Sequence, residues 1–191
     1  MSREKILATI KKHQPAETTL PSLNITSAAR GESVERFKAI LVRIGGSIIE
    51  VKSKSEIEAF LYQNFASMGR WVSLVEGVGD RGAPFDDPHT LENVVLAVVN
   101  GELGVAENGA IWITDAAMGD RALPFITQNL AVVINRSSIV STLHEAYEKI
   151  GDTSYAYGTF IAGPSKTADI EQSLVLGAHG PKSHTVFLLG E

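Results

Sequence analysis

The sequence predicts an α/β domain with helices wound on both faces of a mostly parallel sheet. Two observations predict it. Short apolar runs alternate with segments of helical period along most of the chain. Several runs, among them Val94–Val99 (VVLAVV) and Leu130–Ile134 (LAVVI), are apolar throughout, as strands covered on both faces must be. With 191 residues, 44% of them apolar and 20% charged, the chain has the length of one domain and enough apolar residues for a core.

The elements follow in order. Ser2–His13 is an amphipathic helix, capped by Ser2, with Ile6, Leu7 and Ile10 on one face. Twelve residues are marginal alone, so this helix is expected to dock on the domain or on a second copy. Gln14–Glu32, with Pro15 and Pro21, reads as a linker, so residues 1–32 form an arm and 33–191 a single domain. Ser33 caps a helix with Val34, Phe37, Ile40, Leu41 and Ile44 on its apolar face, stopped by Gly45-Gly46. Ser47–Val51 is a strand. Ser55 and Glu58 form a capping box for a helix over Glu56–Met68, ended by Gly69. Strands are expected at Trp71–Glu76, Val94–Val99, Ala110–Thr114 and Leu130–Ile134, with a loop at Gly77–His89 and a functional loop at Asp115–Gln128. Ser137 or Ser138 caps a helix to Ile150 that turns Val140, Leu143, Tyr147 and Ile150 inward. A strand at Thr159–Ala162 breaks at Gly163-Pro164. Ser165 or Thr167 then caps a helix that Gly177 ends, and His184–Gly190 is the last strand.

Composition excludes several functions. A net charge of −5 with no long Lys/Arg run argues against nucleic-acid binding. No apolar run reaches the ~18 residues of a membrane span. The N-terminus lacks a signal-peptide core, so the expected location is the cytoplasm. The absence of cysteine rules out disulfides, a cysteine nucleophile and a thiolate-held iron–sulfur cluster in this chain.

The richest stretch is Tyr157–Pro181, a strand feeding a polar turn. Backbone donors at a helix start, the hydroxyls of Ser165 and Thr167, and the Lys166 ammonium would make an anion site there; a plain cap with an exposed lysine explains the same residues. It is not a P-loop, because Pro164 and Ser165 stand between Gly163 and Lys166. Asp169 falls in the first helical turn, where a carboxylate also compensates the dipole. His179, in a tight turn before Gly180, can serve as acid, base or ligand, or be structural. Gly77-Val-Gly79-Asp-Arg-Gly82 matches G-x-G-x-x-G, but Pro84 and Pro88 argue against the helix a dinucleotide site needs. No metal site is expected from Asp86, Asp87, His89, His179 and His184.

Glu107, held by the turn residues Asn108 and Gly109, is a candidate nucleophile or general base if its turn faces a cleft; a surface hairpin turn is the alternative. Arg121 is a candidate carboxylate or phosphate ligand, or an exposed charge. In an open α/β sheet these groups are expected to meet at the C-terminal ends of the strands.

VAENGAIWIT, the Arg121–Pro124 stretch and GPSKTADIEQSLVLGAHGP together resemble the LutC/YkgG family, the LUD-domain proteins of bacterial lactate utilisation. The likeness is clearest over Leu91–Glu191. The sequence departs from the family pattern at Asn108, Ala110, Phe125 and Lys166. Lysine in place of the usual arginine at 166 keeps the charge and loses the fork. The resemblance implies a three-layer, Rossmann-like α/β/α domain similar to ribose-phosphate isomerases, glucosamine-phosphate deaminases and CoA transferases. It implies a cluster-free subunit that binds a small anion and acts in oxidising lactate to pyruvate with two partners, one Cys-rich and one carrying iron–sulfur ligands. Glu107-Asn108-Gly109 also resembles the Glu-Asn-Gly of CoA transferases. That likeness implies the alternative of a stand-alone enzyme using Glu107, with the turns Gly163–Thr167 and Gly177–Gly180 lining its cleft.

Overall fold

The computed structural model describes residues 2–19, 21–22, 30–79, 87–168, 174–176 and 179–190. In chain order the elements are helix α1 (Arg3–Lys12), α2 (Arg30–Arg43), strand β1 (Ser47–Val51), α3 (Lys54–Phe65), β2 (Arg70–Ser73), β3 (Val94–Asn100), β4 (Leu103–Val105) and β5 (Ala110–Thr114). Then follow α4 (Asp115–Met118), α5 (Leu123–Ile126), β6 (Asn129–Asn135), β7 (Ile139–Val140), α6 (Leu143–Ile150), β8 (Gly158–Ile161), β9 (Lys166–Ala168), β10 (Leu174–Leu176) and β11 (Ser183–Leu189).

The expected parallel sheet is present. Five strands lie in the order β1-β11-β6-β3-β2, and every neighbouring pair is parallel. Side chains alternate between its faces. On β6, Leu130, Val132 and Ile134 enter one apolar layer, and Ala131 and Val133 enter the other. Ile57 and Leu61 of α3 close the second layer with Phe187. Val34, Phe37 and Leu41 of α2 close the first, together with Met118, Leu123 and a second sheet. Burial on both faces is why these strands are written as unbroken apolar runs.

That second sheet, ordered β7-β4-β5-β8, is mixed: β5 is antiparallel to β4 and β8, and β7 is parallel to β4. It changes one expected element. The helix read from Ser137 begins only at Leu143, capped by Thr142, which accepts from the Glu145 N–H at 3.2 Å. The β-branched pair Ile139-Val140 goes instead to β7, opposite Gly104 and Val105. The shorter helix buries Ala146 and Ile150 and leaves Tyr147 exposed rather than inward.

A second correction falls in the richest stretch. Among the described residues no helix starts after Gly163-Pro164. Lys166–Ala168 and Leu174–Leu176 form the antiparallel ladder β9/β10, with Thr167 opposite Val175. Both register partners are β-branched, a residue type that suits a ladder, and this pairing overrides the cap-like look of Ser165. Asp169 and Gly177 lie outside the described residues.

Smaller shifts are local. Ser53, not Ser55, caps α3, and Glu56 reaches back to the Lys52 N–H at 3.0 Å. Ser33 lies inside α2, buried, with its hydroxyl 2.7 Å from that of Ser141. The 115–128 segment is two short helices, α4 and α5. Helix α1 forms where expected but buries no residue; Ile6, Leu7 and Ile10 are exposed.

Candidate functional site

The Gly163–Lys166 turn is built against the C-terminal end of α2. Gly163 takes φ +74°, and a Cβ there would stand 2.9 Å from the Ile44 carbonyl oxygen. The Lys166 ammonium donates to that same carbonyl. A cation on an orphan carbonyl at a helix C-terminus satisfies both the acceptor and the dipole. The Ser165 N–H donates to the Pro181 carbonyl at 2.9 Å, and Gly180 lies against the Ser165 side chain. So Gly180 meets the Gly163–Lys166 turn at Ser165. The Ser165 N–H and the Lys166 ammonium, however, are engaged by the protein itself, and among the described residues no helix N-terminus addresses the turn.

The Asn108-Gly109 turn reaches the same helix end. Gly109, at φ +72°, packs on Ile40, Leu41 and Ile44, so Ile44 lies between this turn and Gly163. Asn108 closes the turn by accepting from the Ala110 N–H at 3.0 Å. The Glu107 carboxylate is directed elsewhere. Its Oε2 accepts from the N–H of Leu143, the first residue of α6, at 2.9 Å. A carboxylate there satisfies an orphan donor and faces the positive end of the helix dipole. Replacing Glu107 with Ala is therefore expected to lower stability by about 1 kcal/mol, and Gln to recover part of it. Urea unfolding of the three proteins measures this.

Arg121 lies 3.5 Å from the Asp115 carboxylate, with its guanidinium 5.3 Å from the centre of the Tyr157 ring. It is exposed and lines neither of the pockets described below.

His179 and Gly180 do line a pocket, of about 240 Å³, with Phe125, Ile126, Thr127, Gln128 and Lys182. Its position follows from strand pairing. Gln128 immediately precedes β6 and Lys182 immediately precedes β11. The parallel register sets Asn129 opposite Ser183, and the Lys182 N–H donates to the Gln128 carbonyl at 2.8 Å. The pocket therefore opens at the N-terminal ends of the strands, not the C-terminal ends expected for such a sheet. The other end carries an ion cluster: Glu50 joins Lys38 and Arg136, and the Lys38 bond holds its carboxyl below the usual carboxylate range.

Within the pocket the side chains of His179, Gln128 and Lys182 make no hydrogen bond or ion pair among the described residues. Phe125 and Ile126 are exposed and form its apolar wall. One ammonium, an imidazole and an amide beside an apolar wall suit a small carboxylate with a short hydrocarbon end. Lys182, Gln128 and Thr127 were missed by sequence reading, since nothing in one dimension shows that β6 and β11 are neighbours. Among the described residues no group of three or more His, Asp and Glu is placed to hold a metal ion. No helix among them is long and apolar enough to cross a membrane.

On the strand above this pocket, His184 is 1% exposed, and neither ring nitrogen has a partner. Burial pushes its pKa down to about 4.

Comparison with known proteins agrees with this fold. A model of the LUD domain matches residues 89–189. Lactate utilization protein C of Bacillus pumilus is 36% identical over 166 residues, 83% of this chain and 68% of that protein. The protein of the same name from Anoxybacillus flavithermus is 24% identical over 198 residues, 93% of this chain and 87% of that one. The uncharacterized protein YkgG of Escherichia coli is 31% identical over 96 residues, 47% of this chain and 42% of its own length. Among solved structures, a DUF162 family protein from Deinococcus radiodurans superposes with a TM-score of 0.62 at 19% identity, covering 85% of this chain and 99% of that one.

Proposed function

This chain belongs to the LUD domain family, and from that premise we propose that it is a component of a lactate utilisation system. Its part is to hold a small carboxylate, lactate or pyruvate, in the pocket between α5 and the His179–Lys182 turn. The single observation behind this assignment is the set of unengaged polar side chains, His179, Gln128 and Lys182, facing the apolar Phe125 and Ile126. A three-carbon hydroxy acid presents a carboxylate and a hydroxyl at one end and a methyl at the other, and the pocket presents complementary groups. Oxidising lactate to pyruvate releases two electrons and two protons. With no cysteine to bind a cluster, this chain leaves the electrons to partner proteins that carry iron–sulfur centres. The Glu107 alternative draws no support, because that carboxylate caps α6.

The test is thermal unfolding with L-lactate, pyruvate, acetate and phosphate. Selective binding to the folded chain raises Tm with ligand concentration. L-lactate or pyruvate is expected to raise it more than acetate, and Lys182→Ala or His179→Ala to weaken binding about tenfold, ~1.4 kcal/mol. Lys166→Ala is the control: it lowers Tm through the lost cap on α2 and leaves the ligand response intact. No shift with any three-carbon acid, or an unchanged shift in Lys182→Ala, overturns the assignment.

A further inference from the structure

The second sheet carries a pocket that the lactate assignment does not use. Its outer face holds a run of touching rings. Tyr147 meets Phe160 at 5.7 Å, Phe160 meets Trp112 at 4.8 Å, and Trp112 meets Tyr155 at 5.3 Å between ring centres. Trp112 is held from below by Gly158 on the neighbouring strand, where a side chain would strike the indole. The ring is therefore fixed, and Tyr155 stands beside it, 43% exposed.

Against these two rings lies a pocket of about 150 Å³ between the sheet and the C-terminal end of α6. Glu102 and Lys149 line it with opposite charges, beside Thr114, Leu103 and Ile150. The charges do not neutralise each other. Glu102 accepts only the Thr114 hydroxyl, and the Lys149 ammonium has no partner among the described residues. The volume is about five waters' worth, well below the ~300 Å³ at which pockets for drug-sized ligands begin. A nucleotide or a peptide is too large.

We propose that this pocket binds a small free α-amino acid. Each end of such a zwitterion meets its complement. The ammonium is drawn to the Glu102 carboxylate and to the electron-rich ring of the exposed Tyr155, which stands beside the buried Trp112. The carboxylate is drawn to Lys149. The side chain lies against Leu103 and Ile150. A simple carboxylate lacks a group for Glu102 and the Tyr155 ring, and a simple amine faces Lys149 with like charge, so neither matches both halves. The two charged groups come from β4's approach and from α6, so the amino acid would tie the second sheet to that helix. The site shares no residue with the lactate pocket, and neither proposal depends on the other.

The chain has two tryptophans, so Trp71→Phe leaves Trp112 as the only indole. Its emission is followed during titration with glycine, alanine, serine and leucine, and in parallel with acetate, lactate and ethylamine. The proposal expects a saturable change with at least one amino acid and none with acetate, lactate or ethylamine. Glu102→Gln and Lys149→Ala should each raise the Kd about tenfold or more, with the circular dichroism spectrum unchanged. Calorimetric titration of the unsubstituted chain repeats the measurement without relying on the Trp71 variant. No saturable signal from any amino acid in both measurements overturns the proposal. An equal response to ethylamine or acetate overturns it too, as does unchanged affinity in both charge variants.

Discussion

Replacing His184 with Leu is expected to make the protein more resistant to acid. Histidine normally titrates near 6.5, and here the folded-state value is about 4, depressed because the ring is buried with no partner for either nitrogen. Between these two values the unfolded chain binds a proton at this position and the folded chain does not. Protonation therefore favours unfolding as pH falls. The stability this histidine allows is complete above about pH 6.5 and is lost progressively down to about pH 4. The interval of about 2.5 pH units corresponds to roughly 3 kcal/mol. Leucine of similar bulk removes the proton site and the two unpaired nitrogens. The urea midpoint of His184→Leu should thus gain on the wild type by up to ~3 kcal/mol between pH 8 and pH 4.5. The Glu50 cluster titrates equally in both proteins and drops out of the difference. Parallel pH profiles of the two proteins would refute this account of His184.

The second large effect is expected at Gly163. Alanine there meets two costs. The backbone sits at φ +74°, a region that costs a residue with a Cβ about 1 kcal/mol. The new methyl would also stand 2.9 Å from the Ile44 carbonyl oxygen, a backbone atom that also accepts the Lys166 ammonium. Relief requires moving the turn off α2, so the expected loss is 2–4 kcal/mol in total, of order ~3. Gly190 separates the two costs. It has φ +102° and open space around it, so Gly190→Ala should lose only about 1 kcal/mol. Thermal unfolding of the pair gives the comparison. Equal losses would mean that the contact with Ile44 is not what holds the turn.

Gly163 also shows what the sequence could and could not reveal. That it breaks a strand and permits a tight turn was legible, because glycine before proline has few other uses. Its partner was not, because Ile44 is more than a hundred residues away and only the packing of α2 brings it there. The two glycine turns were legible as belonging together through their likeness to one family. The helix expected between them is not formed at its described ends, Lys166–Ala168 and Leu174–Leu176, which pair as strands although a capping hydroxyl precedes them in sequence. The local signals at Ser165 and Thr167 fit both, and the ladder between Thr167 and Val175 decided it. Glu107 was legible as a carboxylate held by a turn, but its target was not. The α6 N-terminus stands 36 residues later and is brought close by the pairing of β4 with β7.

By itself the sequence determined the class of the protein: unbroken apolar runs demand strands buried on both faces, and the helical stretches between them demand crossovers. It also determined that no thiolate chemistry occurs in this chain. Only the tertiary structure decided which ends meet. Strand order is a choice among long-range pairings that leave the local pattern unchanged, and β11 between β1 and β6 is what sets Lys182 beside Gln128. The candidate site exists because of that adjacency, and it opens at the N-terminal ends of the strands because both residues precede the strands they introduce.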